Sequence, residues 1–193
     1  MPAPGSVPVT GDPDADRFLV EHPLALLVGM LLDQQVPMEW AFKGPHTLAQ
    51  RLGGLDAAAI AAMPTDDLIE VFKQKPALHR FPGSMAKRTH DLCRALVDEY
   101  GGDAAAVWRD APSGDELLAR LRALPGFGEM KAKIFLALLA KRLGVTPPGW
   151  EKAAVPYSDS TPRSVADIDS PETLARVRDW KRSQKAKGKT KAD

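Results

Sequence analysis

The sequence holds a single cysteine, no long apolar run and no convincing alternation of polar and apolar residues. One thiol, Cys93, excludes an intramolecular disulfide and a protein-held iron–sulfur cluster, which takes about four cysteine ligands. The histidines are scattered singly, so no metal-ligand spacing exists. The longest apolar run, residues 23–32, is too short for a membrane helix, which needs roughly 20 residues. Because strand periodicity is lacking, we expect an all-α protein that does not cross a membrane.

Charge is nearly balanced, with 26 Lys or Arg residues against 25 Asp or Glu residues. Binding to nucleic acid would therefore depend on local basic patches rather than on the net charge of +1. One such patch is the lysine-rich C-terminus, where we expect residues 182–193 to form a basic, disordered tail. No basic segment followed by an apolar one opens the chain, so a cytoplasmic protein is expected.

Helix signals divide the rest of the chain into three regions. Residues 1–12 are rich in proline and glycine and are expected to form a flexible arm. Residues 13–143 show helical periodicity, with Asp12 and Thr65 as expected N-caps. Residues 144–181 combine an irregular proline-rich loop with a last helix. The expected helices cover residues 13–32, with a break at His22–Pro23, then 37–52, 56–63, 65–73, 84–100 and 170–181.

Residues 124–133, Leu-Pro-Gly-Phe-Gly-Glu-Met-Lys-Ala-Lys, predict a turn between two helices, within a hairpin that spans residues 117–140. Gly126 and Gly128 permit backbone angles and a close approach that a Cβ would forbid. The second helix begins with N–H groups that lack intrahelical partners. Together with the two lysines that follow, these groups predict a site for a backbone phosphate.

A second basic segment, residues 79–88, also places Pro-Gly before a helix start. Arg80, Lys87 and Arg88 would supply charge to a second phosphate contact, although an ordinary loop with a solvated basic face fits equally well. Several aromatic residues are candidates to stack on a base, or else belong to the core. These are Trp40, Phe42, Phe72, Phe81 and Trp150, of which Trp40 and Trp150 are the expected base-pocket residues.

The sequence resembles the helix-hairpin-helix (HhH-GPD) base-excision DNA repair glycosylases in three segments. These are Leu-Leu-Asp-Gln-Gln-Val at residues 31–36, residues 75–94, and Leu-Pro-Gly-Phe-Gly at residues 124–128. The likeness covers residues 16–143 and is greatest to the 3-methyladenine DNA glycosylase II branch. It implies a two-lobed, all-α fold whose central cleft receives a base flipped out of double-stranded DNA, because the glycosidic bond cannot be reached within the stack.

The resemblance also implies roles for matching residues. Gln35 would enter the gap left by the extruded base, with Gln34 beside it, although glutamines at a helix end also solvate backbone carbonyls. The hairpin residues expected to hold the DNA backbone are Leu124, Gly126, Phe127, Gly128, Lys131 and Lys133. Family hairpins can bind a monovalent cation, so the carbonyls of Leu124 and Phe127 are expected ligands for K⁺ or Na⁺, and no other cofactor is expected.

Family members use a carboxylate near the sugar, and those that also cut the strand add a lysine within the hairpin. Met130 occupies that lysine position, so the resemblance implies a hydrolase rather than a lyase. The expected aspartate position falls on Gly-Trp-Glu at residues 149–151, which contains no aspartate. Glu151, Asp159 and Asp167 are therefore alternative catalytic candidates, each of which could instead be a loop acid or a helix cap.

We therefore expect a monomeric, nucleoid-associated enzyme of base excision repair. It would be a monofunctional DNA glycosylase that hydrolyses the N-glycosidic bond of a damaged base, with alkylated bases as a candidate class. Two alternatives remain open. The missing aspartate favours a non-catalytic helix-hairpin-helix protein that binds damaged or distorted DNA. The third hypothesis is a helical interaction module whose Pro-Gly turn merely packs.

Overall fold

The computed structural model describes residues 5–188, and within them the chain forms ten α-helices, two short 3₁₀ helices and no strand. The α-helices are α1 (Pro13–Glu21), α2 (Pro23–Leu32), α3 (Met38–Leu52), α4 (Ala57–Ala62), α5 (Thr65–Lys73), α6 (Pro82–Tyr100), α7 (Gly114–Ala123), α8 (Glu129–Leu143), α9 (Trp150–Ala153) and α10 (Pro171–Ala186). The 3₁₀ helices are Ala104–Val107 and Val165–Asp167. The predicted all-α fold is confirmed. None of the described helices is long and apolar enough to cross a membrane.

Local sequence explains most helix boundaries. Asp12 caps α1 by accepting hydrogen bonds from two first-turn N–H groups, and His22–Pro23 separates α1 from α2. Thr65 is not the predicted N-cap, because the preceding proline holds that position and Thr65 is already the first residue of α5. Helix α6 begins at Pro82, earlier than predicted, since proline suits the first helical position.

The N-terminal segment is packed, in contrast to the flexible arm predicted for residues 1–12. Val7 and Val9 are buried, and the N–H of Gly5 donates to the carbonyl of Arg142 at 2.7 Å. Burial of the two valines offsets the entropy lost when a segment rich in proline and glycine is ordered. The first four residues of the predicted arm lie outside the described residues.

The chain folds into two compact units. The N-terminal unit consists of Thr10–Arg109 together with the short segment Leu124–Gly126. The C-terminal unit consists of Asp110–Ala123, the chain from Phe127 onward and the segment that ends at Val9. The path from α7 to α8 therefore contributes residues to both units.

Helix α2 is the most buried element of the N-terminal unit. All of its residues from Leu24 to Leu32 are buried. It packs closely against α3, because a Cβ on Gly29 would lie only 2.6 Å from Cδ1 of Phe42. Such dense packing fixes the last turn of α2 and with it the start of the loop that follows, residues 33–37.

In the C-terminal unit, α8 supplies most of the apolar core, with residues 134–140 all buried. Helix α9 packs against the start of α7. The N–H of Gly114 donates to the carbonyl of Pro148 at 2.8 Å, and a Cβ on Gly114 would lie 2.6 Å from Cα of Trp150. This contact leaves no room for a side chain at the first residue of α7.

The C-terminal region is more regular than the sequence indicates. Ser170 caps α10 in a reciprocal capping box with Thr173, and the helix continues to Ala186. Residues 182–186 are therefore helical, although they were predicted to belong to the disordered tail. Residues 189–193 of that predicted tail lie outside the described part of the chain.

Candidate nucleic-acid interface

The turn between α7 and α8 requires glycine at one of its two predicted positions. Gly126 has φ +84°, and a Cβ there would lie 2.3 Å from Cδ1 of Leu31 at the end of α2. Gly128 does not fit the prediction of a special backbone angle, because its φ of −75° suits any residue. A Cβ on Gly128 would meet no other part of the described chain within 4 Å. Its open surroundings leave the backbone accessible to a phosphate group.

The N-terminus of α8 has the features of an anion site. Gly128 is its N-cap and makes no side-chain capping bond, so no side chain at this position competes for the first-turn N–H groups. Lys131 lies half-buried in the first turn of α8. Glu129 brings the opposite charge, pairing with Arg122 at 3.4 Å and with Lys133 at 3.3 Å. A phosphate at this site would compete with Glu129 for the two cations.

Two of the predicted hairpin contacts have buried side chains. Leu124 is 4% exposed and Phe127 is 3% exposed. The Phe127 ring meets the Phe135 ring edge-on, with their centroids 5.9 Å apart. These side chains are packed in the apolar interior, so only backbone atoms of Leu124 and Phe127 are available to DNA or to a cation.

The loop between α2 and α3, residues 33–37, presents the glutamine pair. Gln35 is exposed and has φ +57°, a left-handed conformation that is uncommon for residues other than glycine, asparagine and aspartate. Gln34 is held on both sides: its Nε2 donates to the carbonyl of Leu31 at 3.0 Å, and its Oε1 accepts from Nη1 of Arg88 at 3.2 Å. Gln34 thus satisfies a carbonyl at the helix end, while Gln35 remains at the surface.

His79 is the functional candidate that the sequence reasoning missed. The residue is 1% exposed, and its Nε2 lies 3.1 Å from the carbonyl of Leu32 and 3.0 Å from that of Gln34. On the other side of the ring, Nδ1 accepts from the N–H of Phe81 at 3.0 Å. No spacing rule connects residues this far apart in sequence, so only the fold brings His79 to the α2–α3 loop.

The second basic segment also reaches the surface of the N-terminal unit. Arg80 is exposed and lies over the Phe81 ring, 5.5 Å from its centroid, and Lys87 is exposed on α6. Arg88 is also exposed, and its Nη1 donates to Oε1 of Gln34 at 3.2 Å. The predicted role of Arg80 and Lys87 in binding a phosphate remains a prediction.

The aromatic candidates divide by exposure. Phe42 and Phe72 are fully buried, so they are core residues. Trp40 is 40% exposed and is oriented by a hydrogen bond from Nε1 to the carbonyl of Ala77 at 3.2 Å. Phe81 is 43% exposed. Trp150 is partly buried in the C-terminal unit, where its backbone packs on α7.

Asp167 is tied into the local structure. Its Oδ2 accepts hydrogen bonds from the N–H groups of Arg163 and Ser164, which forms a capping box at the 3₁₀ helix. Its Oδ1 pairs with Nζ of Lys141 at 2.6 Å, and the side chain is 8% exposed. Both carboxylate oxygens of Asp167 are therefore engaged by neighbouring groups of the C-terminal unit.

The other two candidate carboxylates are exposed. Asp159 pairs with Nη2 of Arg163 at 2.7 Å and accepts from the N–H of Thr161. Glu151 lies in the first turn of α9, and within residues 5–188 its carboxylate takes part in no ion pair or hydrogen bond. Of the three candidates, Glu151 is the one whose carboxylate has no protein partner among residues 5–188.

A polar cavity of about 400 Å³ lies at the far end of α8 from the hairpin. Among its lining residues are Lys141, Arg142, Asp159, Asp167 and Asp169. Gly128 and Lys141 are separated by about 20 Å along the helix, at 1.5 Å per residue. The cavity therefore does not join the hairpin site.

Cys93 is not a candidate nucleophile. Burial raises the pKa of its thiol to about 12, so the thiolate is scarce at neutral pH. The described residues also contain no group of three or more histidine, cysteine, aspartate or glutamate side chains that could hold a metal ion.

Among residues 5–188, an all-α fold with a glycine turn between two helices and an open helix N-terminus is the arrangement expected of a helix-hairpin-helix protein. Residues 28–192 match the HhH-GPD superfamily base excision DNA repair protein, and the chain belongs to this superfamily. The superfamily assigns the chain to base excision repair of DNA. Members of the superfamily are generally DNA glycosylases. The predicted superfamily is confirmed. Comparison with curated proteins gives no significant match.

Proposed function

We propose that this protein is a monofunctional DNA glycosylase that acts as a monomer on damaged bases in double-stranded DNA. The observation that carries the proposal is the contact between Gly126 and Leu31. Leu31 also accepts the side-chain hydrogen bond of Gln34. The segment Leu124–Gly126 of the turn is therefore packed against the helix end that presents the glutamine pair, and both belong to the N-terminal unit.

The hairpin and the second basic segment supply the grip on DNA. A phosphate binds at the open backbone of Gly128 and the N-terminus of α8, with Lys131 and Lys133 close by. Arg80 and Lys87 contact a second phosphate. These contacts are independent of base sequence, because phosphates carry no sequence information.

The exposed Gln35 fills the gap left by the extruded base, and Trp40 stacks on that base. Alkylation of a ring nitrogen gives a purine a positive charge, and a cationic ring is attracted to the face of tryptophan. This attraction favours alkylated purines, the substrate class of the 3-methyladenine DNA glycosylase II branch. Trp40 is better suited to this role than Phe81, whose ring already lies beneath Arg80.

Glu151 supplies the catalytic carboxylate. As the C1′–N bond breaks, its electron pair leaves with the base, and the carboxylate stabilises the positive charge that develops on the sugar. The oxygen of a water molecule then bonds to C1′, and the carboxylate takes the proton that this water releases. Packing of α9 against Gly114 fixes the backbone at Glu151 to the first helix of the hairpin.

The same site lacks the group needed to cut the strand. Met130 is the second residue of α8, where the family resemblance places the lyase lysine, and a thioether cannot form a Schiff base. The single cysteine supports a site that works without an iron–sulfur cluster. Main-chain carbonyl oxygens at Leu124 and Phe127 are hard ligands of the kind that K⁺ or Na⁺ takes.

A second function, binding of damaged DNA without catalysis, is favoured by one observation. The carboxylates of Asp159 and Asp167 are both engaged in ion pairs, so two of the three catalytic candidates serve the local structure. The two functions share the hairpin and the α2–α3 loop and differ only in whether Glu151 acts on the sugar.

Single-turnover assays on duplexes with one lesion each distinguish these functions. The panel holds alkylated purines, uracil, hypoxanthine and 8-oxoguanine, and abasic sites are revealed by heating in alkali. Glu151→Gln should slow base release by about 100-fold, the scale of general base catalysis, and leave DNA affinity within about twofold. Asp159→Asn is the matched control and should react like wild type. Full activity of Glu151→Gln, together with loss of turnover in folded Asp167→Asn, would move the catalytic role to Asp167.

A further inference from the structure

The imidazole of His79 joins two separate elements of the N-terminal unit. Because Nδ1 accepts the N–H of Phe81, the proton of the neutral ring is on Nε2. That Nε2–H faces the carbonyls of Leu32 and Gln34. Phe81 is the N-cap residue of α6, so one buried ring connects the start of α6 to the α2–α3 loop.

The two carbonyls that His79 contacts lie at the end of α2 and in the loop that follows it. The last carbonyls of a helix have no intrahelical donor, and Leu32 ends α2. The carbonyl of Leu32 also accepts from the N–H of Gln34 at 2.7 Å, so the imidazole of His79 adds a second donor to this tight turn. The carbonyl of Gln34 directly precedes Gln35, whose positive φ is a conformation that its neighbours must enforce. His79 and Arg88 hold Gln34 through its backbone and its side chain respectively, so the peptide entering Gln35 is fixed from both sides.

We propose that His79 is a positioning residue for base extrusion, which fixes the α2–α3 loop so that Gln35 is presented in its inserting conformation before DNA binds. The inference rests on the proposed function of the loop. If the conformation of Gln35 is already fixed before DNA binds, no entropy has to be lost to order it while the base leaves the stack. The smaller entropy cost favours the extruded state. His79 itself touches neither the base nor the sugar in this account.

Two substitutions separate the two hydrogen bonds of the ring. His79→Asn keeps an acceptor near the position of Nδ1 for the N–H of Phe81, since asparagine bonds the backbone two residues on, but is too short to reach the loop. His79→Gln keeps a donor long enough to approach the position of Nε2. The matched control is His90→Asn. His90 is a second buried histidine and lies in α6, and the substitution removes a similar bond, between its Nε2 and the carbonyl of Met63, 3.0 Å apart.

Hydrogen exchange of the full chain without DNA measures the first consequence. His79→Asn should accelerate exchange of the amides of residues 34–36 by about tenfold, the scale of a lost hydrogen bond, whereas His79→Gln and His90→Asn should change it little. Fluorescence of 2-aminopurine beside an alkylated base in duplex DNA measures the second. His79→Asn should reduce extrusion by about tenfold at saturating protein while affinity for undamaged duplex stays near that of wild type.

The outcomes are separable. Unchanged exchange of residues 34–36 in His79→Asn would overturn the positioning role, whatever the wild-type protein does to DNA. Equal loss of extrusion in His79→Asn and His90→Asn would mean that His79 contributes only to the stability of the fold, and this result would overturn the proposal. If exchange responds as expected but wild type never extrudes a base, the proposed function fails and the role of His79 in extrusion fails with it.

Discussion

Gly126 and Gly128 occupy one turn but meet different surroundings. Gly126 has a positive φ and touches Leu31, so its lack of a Cβ serves the fold. Gly128 has an ordinary φ and open space around it, so its lack of a Cβ serves whatever approaches from outside. From the sequence, both glycines are expected to provide a special backbone angle and a close approach. The pattern Gly-x-Gly cannot separate these two roles, because it shows neither the backbone angles nor the neighbours of each glycine.

Substitutions at these two glycines should therefore affect different properties, DNA affinity at Gly128 and stability of the fold at Gly126. Gly128→Ser should keep the stability of the fold, because serine is a favoured N-cap, and should weaken DNA binding by about tenfold, the equivalent of one charge-assisted hydrogen bond. Gly126→Ala should lower the free energy of unfolding by at least about 1 kcal/mol, from its positive φ alone. Urea unfolding and fluorescence anisotropy with a short duplex measure the two effects. If Gly128→Ser bound DNA as tightly as wild type, the proposal that this turn binds a phosphate would be wrong.

The role of His79 cannot be predicted from the sequence. A lone histidine offers no ligand spacing, and its two partners in the α2–α3 region, the carbonyls of Leu32 and Gln34, are separated from it by the whole of α3, α4 and α5. The roles of Gln34 and Gln35 were equally open, because either could have solvated the end of α2. The hydrogen bonds decide between them, with Gln34 capping Leu31 and Gln35 exposed.

Helices are the elements that the sequence predicts best, because period and capping are local properties. Asp12, His22–Pro23 and Gly53 bound helices where the sequence places them. The sequence-based predictions of helices fail where contacts with residues distant in sequence determine the local structure. Burial of Val7 orders a segment that composition assigns to a loose arm, and α10 continues into a region that its charge assigns to a tail.

The first turn of α8 allows a test of how the helix terminus binds an anion. Glu129→Gln should raise DNA affinity by about two- to fivefold at low salt, because it frees Arg122 and Lys133 and removes a negative charge beside the phosphate. The control is Glu116→Gln in the first turn of α7, which breaks a comparable ion pair with Arg120 at 3.1 Å. Anisotropy titrations should show a gain for Glu129→Gln alone, and the gain should shrink as salt rises. Equal gains in both variants would indicate general charge attraction rather than a site at α8.

For the whole molecule, the family and the all-α fold follow from the sequence, but the chemistry does not. Glu151, Asp159 and Asp167 lie in a stretch without periodicity, so sequence spacing cannot rank them. The fold distinguishes them by their partners: Lys141 and Arg163 pair with the two aspartates, whereas the carboxylate of Glu151 has no partner among residues 5–188. Sequence order likewise cannot reveal that residues 124–126 pack with the N-terminal unit, because the assignment depends on contacts with α2.

The central claim is that this protein hydrolyses a glycosidic bond and leaves the strand intact. Its most direct test is release of free methylated base from alkylated duplex DNA at excess protein, measured by chromatography with mass detection. The account predicts one released base for each abasic site, no strand break before alkali, and no protein–DNA adduct on borohydride reduction, because Met130 cannot form a Schiff base. Tight binding to the same duplex without any released base would contradict the claim and leave a protein that binds damage only.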